Sequence, residues 1–411
     1  MNRYLVVLAT LIAALTAYGQ QQLKVTVKNP INTERHDVPV VISLKGYGQV
    51  QSALVVSNDG KETACQTDDL DGDETADELC FLSDLKGRET RTYTVTLMDD
   101  GEPRPYPARV YAEMLTRNSK VKEKNRHNNY ISSITARGDC ADPYNLQHHH
   151  GVSFESELNG IRIYFDKRQT LDLYGKNMKR LELQQTQFYT SPEQKKEGYG
   201  DDVLWVGQTF GLGAFRGWDG KAPTMIDPVK SRTQRIVSYG PLRTIVEVED
   251  RGWKADSLKP ALNMTLRYTQ YAGHRDTDVD VFFNRDASSY RFSTGIIDVK
   301  GSQEMSDKKG LRACWGTDYP AADTINWKRE TVGLAILLNK ENIVSEVPAD
   351  KTKAQGGNYA FVVAPKDRHI NYKVAYCSAN ENFGFHSADE WFEWLQQWRK
   401  ECRQPVIVNI E

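Results

Sequence analysis

The sequence lacks the features that mark several common functional classes. Its 53 basic and 55 acidic residues nearly balance, at a formal net charge of −2, so no basic field favours a nucleic-acid partner. None of its six cysteines forms a Cys-x-x-Cys pair, which argues against a zinc ribbon or a redox motif. Neither Gly-x-Ser-x-Gly nor His-Glu-x-x-His occurs, so serine-hydrolase and zincin hypotheses lack their motifs.

Long apolar runs are also missing beyond the N-terminus, so we expect no membrane span in the mature chain. The N-terminus itself has a short positive region, an apolar stretch at 4–17 and small residues around Gly19. This pattern is typical of a cleavable signal peptide over residues 1–20. We therefore expect an exported protein, most simply a periplasmic one.

The residues that are present indicate a mainly all-β protein. Short alternating runs bounded by Gly, Asn or Asp fill residues 21–102 and predict a small immunoglobulin-like β-sandwich. A Pro-rich, charged stretch at 99–107 is typical of a linker, so residues 103–411 form the second predicted domain. Near its end, the Ser387-x-x-Glu390 capping box and apolar residues at helical spacing predict one amphipathic helix.

An acidic segment at 69–78 resembles the start of a calcium loop, because hard oxygen ligands alternate along it. The predicted ligands of a structural calcium ion are Asp69, Asp71, Asp73 and Asp77. Glu74 stands where such a loop usually has Gly, and a solvated acidic turn is the alternative. Cys65 and Cys80 flank this turn, and a disulfide between them is reasonable in an oxidising compartment. No other cofactor is expected.

The segment at 148–166 carries the densest acid/base chemistry of the chain. Asn159-Gly160 is a strong signal for a two-residue type I′ hairpin turn, and residues two apart on a strand share a face. That turn gives two cross-strand pairs on one ionisable face: Glu157 with Arg162, and Glu155 with Tyr164.

His149 or His150 would transfer a proton at such a face, with Glu155 or Glu157 as partner base. Arg162 would bind a substrate carboxylate, and Tyr164 would line the site. The alternative is a surface hairpin with a cross-strand salt bridge.

A second candidate region is the turn at 272–275, where the apolar parity of the flanking strands reverses. It presents His274 as a catalytic candidate and Arg275 as a carboxylate-binding one. The alternative is a charged edge that blocks strand aggregation. Asp202 and Trp218 are further substrate-binding candidates, although aromatic residues such as Trp205 and Trp218 more often belong to a core.

Several motifs together resemble a family of exported Bacteroidota proteins that carries only a domain-of-unknown-function label, number 4861. They are His148-His149-His150-Gly151, Phe154-Glu155-Ser156-Glu157, Gly200-Asp201-Asp202-Val203-Leu204, Tyr239-Gly240-Pro241-Leu242-Arg243 and Tyr271-Ala272-Gly273-His274-Arg275. The resemblance covers nearly all of the mature chain. It implies a place in gene clusters that degrade plant and algal polysaccharides, often beside enzymes acting on unsaturated uronides.

More distantly, the Gly-Pro-x-Arg hairpin, the Tyr-Ala-Gly-His-Arg turn and the terminal Trp helix resemble the galactose-mutarotase-like β-supersandwich. That resemblance implies general acid/base chemistry on a sugar carbon. We therefore expect an enzyme acting on uronate-containing oligosaccharides, lyase-like or epimerase-like. The alternatives are a non-catalytic carbohydrate-binding protein and a glycoside hydrolase, which needs two carboxylates across the scissile bond. The oligomeric state does not follow from the sequence.

Overall fold

The computed structural model of the protein describes residues 20–118, 120, 129–138, 141–321, 323–349 and 357–411. The predicted signal peptide lies almost wholly outside the described residues, as does Cys140. Among the helices of the described ranges, none combines the length and apolarity needed to cross a membrane.

Strands dominate the structure, so the all-β expectation is confirmed. In chain order they are β1 (Gln20–Lys28), β2 (Arg35–Ser43), β3 (Ser52–Ser57), β4 (Glu62–Thr63), β5 (Cys65–Asp68), β6 (Glu78–Leu85), β7 (Thr90–Met98), β8 (Val110–Glu113), β9 (Leu115–Thr116), β10 (Asn129–Tyr130), β11 (Ser133–Arg137), β12 (Gly151–Ser156), β13 (Gly160–Tyr164), β14 (Leu171–Gly175), β15 (Asp201–Asp202), β16 (Arg216–Trp218), β17 (Pro223–Thr224), β18 (Ser231–Ser238), β19 (Arg243–Trp253), β20 (Leu262–Tyr271), β21 (Asp276–Phe283), β22 (Phe292–Ile297), β23 (Gln303–Ser306), β24 (Leu311–Asp318), β25 (Glu330–Leu338), β26 (Ile343–Val347), β27 (Asn358–Val363), β28 (His369–Ser378) and β29 (Ile407–Ile410). The helices are α1 (Ala141–Leu146), α2 (Leu183–Thr186), α3 (Pro192–Lys196) and α4 (Ala388–Arg403), with one 3₁₀ turn at Lys340–Asn342.

The described chain divides into two compact units. The first contains the residues up to Pro107 together with Pro405–Glu411, and its sheets have the orders β29-β1-β7-β3-β4 and β2-β6-β5. Alternate residues of these strands, such as Val25, Val40 and Val95, are buried in one apolar core because the side-chain period of a strand is two. The immunoglobulin-like assignment of this unit stays a prediction.

The last strand corrects the expected domain limits. The sequence placed all of residues 103–411 in the second domain, but β29 pairs antiparallel with β1 of the first unit, with Val27 opposite Val408. The second unit accordingly runs from Ala108 to Gln404. Pairing with β1 satisfies the backbone hydrogen-bonding groups of β29. The local sequence of a four-residue strand does not show which strand it pairs with.

No disulfide joins Cys65 to Cys80. On the β5–β6 pair, Cys65 lies opposite Phe81, whereas Cys80 lies opposite Gln66. Because neighbouring positions on a strand face opposite sides of a sheet, the two thiols point away from each other. Both are buried.

The second unit is built on a nine-stranded antiparallel sheet with the order β11-β18-β19-β20-β21-β28-β25-β24-β23. Two five-stranded sheets share its main apolar core, with the orders β15-β14-β13-β12-β8 and β17-β16-β22-β27-β26. A two-stranded ribbon, β10-β9, completes the unit. The predicted turn at 272–275 is confirmed, because β20 ends at Tyr271 and β21 begins at Asp276.

Helix α4 confirms the predicted terminal helix and packs on β24 and β25. Ser387 is its N-cap and accepts a hydrogen bond from the Glu390 backbone N–H. The Glu390 carboxylate instead accepts from the His386 N–H, so only half of the capping box forms. Trp391 is fully buried, and a Cβ at Gly333 would lie 2.8 Å from its Nε1.

We predict that Trp391→Ala destabilises the second unit by about 3–5 kcal/mol, because it removes a large buried side chain that the bare backbone of Gly333 cannot replace. Urea unfolding measures the change. Gln396→Ala, on the exposed side of the same helix, is the control and should stay within about 0.5 kcal/mol of the wild type. Equal effects of the two substitutions would contradict the assignment of Trp391 to the core.

Candidate functional site

The β12–β13 hairpin forms, but its turn lies two residues earlier than predicted. Glu155 pairs with Gly160 and Ser153 with Arg162, so neither predicted cross-strand pair occurs. The Ser156 N–H donates to the Asn159 carbonyl, which leaves Glu157 and Leu158 as the loop.

Tertiary contacts explain why Asn159-Gly160 is not the turn. The Asn159 side-chain amide donates to the Arg275 carbonyl at 2.7 Å. The Gly160 N–H donates to Tyr376 Oη at 2.7 Å, and that hydroxyl donates back to the Gly160 carbonyl. A Cβ at Gly160 would lie 3.3 Å from Tyr174 Cβ. Close packing therefore favours glycine here, without a type I′ turn.

Glu155 has a structural role instead of the predicted catalytic one. It is fully buried, and Lys176 Nζ lies 2.5 Å from its Oε2. The backbone N–H groups of Glu182 and Leu183, at the start of α2, also donate to the carboxylate. Burial raises the pKa of Glu155, and the Lys176 ammonium and these N–H groups oppose that shift.

The two predicted regions do meet, through Glu157 and its neighbours. Glu157 Oε2 accepts from the Gly273 N–H at 2.8 Å, and its Oε1 accepts from Arg109 Nε at 2.5 Å. Ser156 Oγ donates to the His274 carbonyl at 2.8 Å. These contacts fix the 272–275 turn against the hairpin. Both carboxylate oxygens of Glu157 thereby accept hydrogen bonds from the protein itself.

Arg275 and His274 are held by carboxylates of the protein itself. Arg275 Nη1 donates to both oxygens of Glu381, at 2.7 and 3.0 Å, and the pair is buried. His274 Nδ1 lies 3.0 Å from Asp276 Oδ1. A substrate carboxylate would have to displace Glu381, so Arg275 is not placed for the predicted substrate contact.

His149 is also fully buried. Its Nε2 lies 3.3 Å from Glu113 Oε1 and 3.4 Å from Ser153 Oγ. Burial raises the pKa of Glu113 to about 8, and a hydrogen bond from Tyr111 only partly opposes this. This cluster can share a proton internally, but it presents no surface to a ligand.

Three predicted site residues, Arg162, Tyr164 and Asp202, contact one another through the Arg162 guanidinium. A fourth, His150, lies beside them. Arg162 Nη2 lies 2.6 Å from Asp172 Oδ2 and 3.0 Å from Asp202 Oδ2. It also lies 3.1 Å from Tyr164 Oη, which donates to Asp172 at 2.6 Å. The ring of His150 lies 6.3 Å from that of Tyr164. Arg162 Nη1 also donates to Tyr189 Oη at 3.2 Å. We call Arg162, Tyr164, Asp172, Asp202 and Tyr189 the arginine network.

Protonation states in and beside the arginine network favour acid/base chemistry. Burial and the neighbouring Asp172 charge raise the pKa of Asp202 well above its usual range, against the effect of Arg162. Burial lowers the pKa of His150 to about 4, helped by the Arg162 charge and opposed by the hydrogen bond to the Tyr144 carbonyl. A neutral imidazole at neutral pH therefore lies beside a carboxyl whose pKa is raised, an arrangement typical of acid/base sites.

A cleft of about 940 Å³ adjoins the arginine network in the same unit. Its aromatic, charged and polar lining residues are Arg168, Trp205, Gln208, Thr209, Asp298, Lys300, Asp318, Tyr319, Thr324, Arg329 and Asn358. Two residues link it to the network. The Arg168 guanidinium lies 4.8 Å from the centre of the Tyr164 ring, and the Leu204 N–H donates to Asp202 Oδ1 at 3.3 Å.

Sequence reasoning missed most of this cleft. Trp205 was expected to belong to a core, but it is 39% exposed and lines the cleft. Lys300, Tyr319 and Arg329 lie in loops beside β22, β24 and β25, and no local motif marks them. Trp218, by contrast, is partly buried on β16 opposite Pro223 and does not line the cleft.

The acidic loop of the first unit retains its predicted features in part. Asp69, Asp71 and Asp77 each offer an oxygen within 4.8 Å of the others, while Asp73 is not in this group. Burial opposes ionisation of Asp69, but the N–H groups of Gly72 and Glu74 lower its pKa below the usual range. Such oxygens suit calcium. The ion itself stays a prediction.

If calcium binds this loop, addition of millimolar Ca²⁺ should raise the thermal midpoint of the wild type by a few degrees over EDTA-treated protein. Asp71→Asn should abolish that increase, since it removes one of the grouped carboxylates. Asp73→Asn is the matched control and should retain most of it. An equal response of all three proteins, or none in the wild type, would count against calcium.

A sequence comparison decides the family. The family described as Domain of unknown function (DUF4861) matches residues 27–408. The chain belongs to this family. No match was found among curated proteins.

Three solved structures are similar to this chain at 10% sequence identity. An alpha-mannosidase and a glycosyl hydrolase family 38 protein, both from Enterococcus faecalis, superpose with TM-scores of 0.46 and 0.48 over 95% of this chain. The chain spans about half of their length, 46% and 47%. A structure assigned as an aldose 1-epimerase from Klebsiella pneumoniae has a TM-score of 0.30, covering 71% of this chain and 95% of that one.

His150 gives a test of the site's electrostatics. Its pKa in the folded chain, about 4, lies below the ordinary 6.5, so folding favours the neutral ring. The stability that this provides is complete above pH 6.5 and is lost as the pH falls towards 4. His150→Asn suits the positive φ of 67° and removes the titration.

The stability difference between wild type and His150→Asn should therefore shrink on going from pH 7 to pH 5. The change is at most about tenfold in the folding equilibrium constant per pH unit. Urea unfolding at both pH values measures it. His36→Asn, at an exposed site, is the control. A difference that does not change with pH would refute the assignment.

Proposed function

We propose that this protein is an exported, periplasmic carbohydrate-active enzyme that acts by acid/base chemistry on uronate-containing oligosaccharides, in a lyase-like or epimerase-like reaction. The observation that carries the proposal is the adjacency of the cleft to the arginine network. The cleft offers a surface for an acidic sugar, and the arginine network together with the neighbouring His150 offers a proton donor and a proton acceptor.

The lining of the cleft suits an acidic sugar. Trp205 and Tyr319 offer aromatic rings on which an apolar sugar face can stack. Arg168, Lys300 and Arg329 supply three cations, which suit carboxylate groups. Arg168 is held by Asp166 at 2.6 Å, so its guanidinium is oriented before a ligand arrives.

Proton transfer would use His150 and Asp202. For elimination, neutral His150 takes the proton on the carbon beside the uronate carboxylate, and Arg168 stabilises the charge that develops on that carboxylate. Asp202, whose pKa burial raises, donates the proton to the departing glycosidic oxygen as the C–O bond breaks. Epimerisation would begin with the same proton abstraction and return a proton to the other face.

A glycoside hydrolase is the alternative that a specific observation favours. Asp298 and Asp318 both line the cleft, so two carboxylates are available there. Asp298 is buried and accepts from Ser302 Oγ at 3.0 Å. A non-catalytic carbohydrate-binding protein would use the same aromatic and basic lining.

The deciding experiment is incubation with oligosaccharides of pectin, ulvan and arabinogalactan. Elimination gives ultraviolet absorbance from an unsaturated uronide, hydrolysis gives products that have gained water, and epimerisation changes the NMR spectrum at constant mass. Binding without any product would reject the enzyme proposal and leave a carbohydrate-binding protein.

Variants assign the roles. His150→Asn and Asp202→Asn should each lower kcat by about 10²-fold or more while leaving substrate affinity within a few fold. Trp205→Ala should weaken binding about tenfold through loss of stacking. Lys254→Gln, an exposed cation that does not line the cleft, is the control. Asp318→Asn would abolish turnover only if hydrolysis is the reaction.

A further inference from the structure

We propose that a second pocket of the same unit binds an oxyanion, a carboxylate or sulfate group carried on a sugar chain. The pocket has a volume of about 430 Å³ and shares no lining residue with the cleft. We call it the basic pocket, and its lining residues are Lys230, Arg251, Gly252, Pro260, Ala261, Asn263, Asn284 and Arg285.

The charges of the basic pocket are of one sign. Lys230, Arg251 and Arg285 contribute three cations, and no lining residue is acidic. Glu249 lies 3.0 Å from Arg251 Nε and fixes that guanidinium at the rim, where the arginine stays exposed. The pocket therefore carries a net positive potential, which favours an anion.

Two asparagines add neutral donors of fixed orientation. The Asn263 side-chain oxygen accepts from the Gly252 N–H at 2.9 Å, and the Asn284 oxygen accepts from the Asn263 N–H at 2.8 Å. Because each carboxamide uses its oxygen for the backbone, its NH₂ group is the end left to donate elsewhere. Donors thus outnumber acceptors among the polar side chains of the pocket.

Backbone geometry fixes the position of Lys230. Gly252 has a positive φ of 70°, and a Cβ there would lie 2.6 Å from Lys230 Cγ. The Lys230 N–H donates to the Arg251 carbonyl at 2.7 Å. Glycine therefore lets the lysine stem pass close to the β19 backbone, which holds Lys230 at the wall of the basic pocket.

The size of the pocket favours a sugar-borne anion over a bare ion. Its volume falls in the range of small-molecule sites, about 300–1,000 Å³. Pro260 and Ala261 add apolar surface beside the donors, where a pyranose ring could rest. The basic pocket would hold an acidic polysaccharide at a site separate from the cleft. The proposal therefore does not depend on a reaction in the cleft.

The test is a calorimetric titration of Lys230→Gln/Arg285→Gln against the matched double variant Lys340→Gln/Lys366→Gln, which loses the same charge at exposed sites outside the pocket. Both are prepared in a Trp205→Ala background, which weakens binding in the cleft by the same factor in each protein. The probes are oligogalacturonate, sulfated ulvan oligosaccharide, a neutral galacto-oligosaccharide and inorganic sulfate.

The pocket variant should bind the two acidic oligosaccharides at least tenfold more weakly than its background, and the control within about twofold. Binding should fall with added salt and be absent for the neutral sugar. Equal losses in both double variants would overturn the proposal, as would inorganic sulfate binding as tightly as the oligosaccharides. An inactive wild type with this binding pattern would reject the proposed enzyme and leave the basic pocket standing.

Discussion

The arrangement of the candidate site in the second unit follows from the need to stabilise the buried charge of Arg162. A guanidinium removed from water is costly unless a carboxylate and hydrogen bonds replace the lost hydration. Asp172 supplies the charge from the adjacent strand β14, and Tyr164 and Tyr189 supply hydroxyl oxygens. A second carboxylate, Asp202, shares the same cation, and its burial together with the Asp172 charge raises its pKa well above the usual range. One structural requirement thus places a carboxyl of raised pKa beside His150, where acid/base chemistry can use it.

Much of the fold follows from the sequence because strand and helix periodicity is local. The alternating runs predicted the strands of the first unit, the parity change predicted the 272–275 turn, and the apolar residues at helical spacing predicted α4. Local signals failed where a distant partner decides. The Asn159-Gly160 turn signal was overridden by Tyr376 and Arg275, more than a hundred residues away.

The candidate site was predicted only in part for the same reason. His150, Arg162, Tyr164 and Asp202 were selected by residue type, and the structure places them in or beside one network. Glu155 and Arg275 have the same chemistry but are occupied by Lys176 and Glu381, and sequence spacing cannot reveal partners that far apart. The cleft was missed because its cations come from separate loops, each with an unremarkable local sequence.

The pairing of β29 with β1 also has a consequence for biogenesis. The first unit contains both early and late parts of the chain, with the whole second unit inserted between them. During synthesis, the five-stranded sheet of the first unit therefore lacks its edge strand β29 until residues 407–410 have been made. We expect β1 to expose one unpaired edge throughout that interval, and such an edge is prone to strand-to-strand association until β29 covers it.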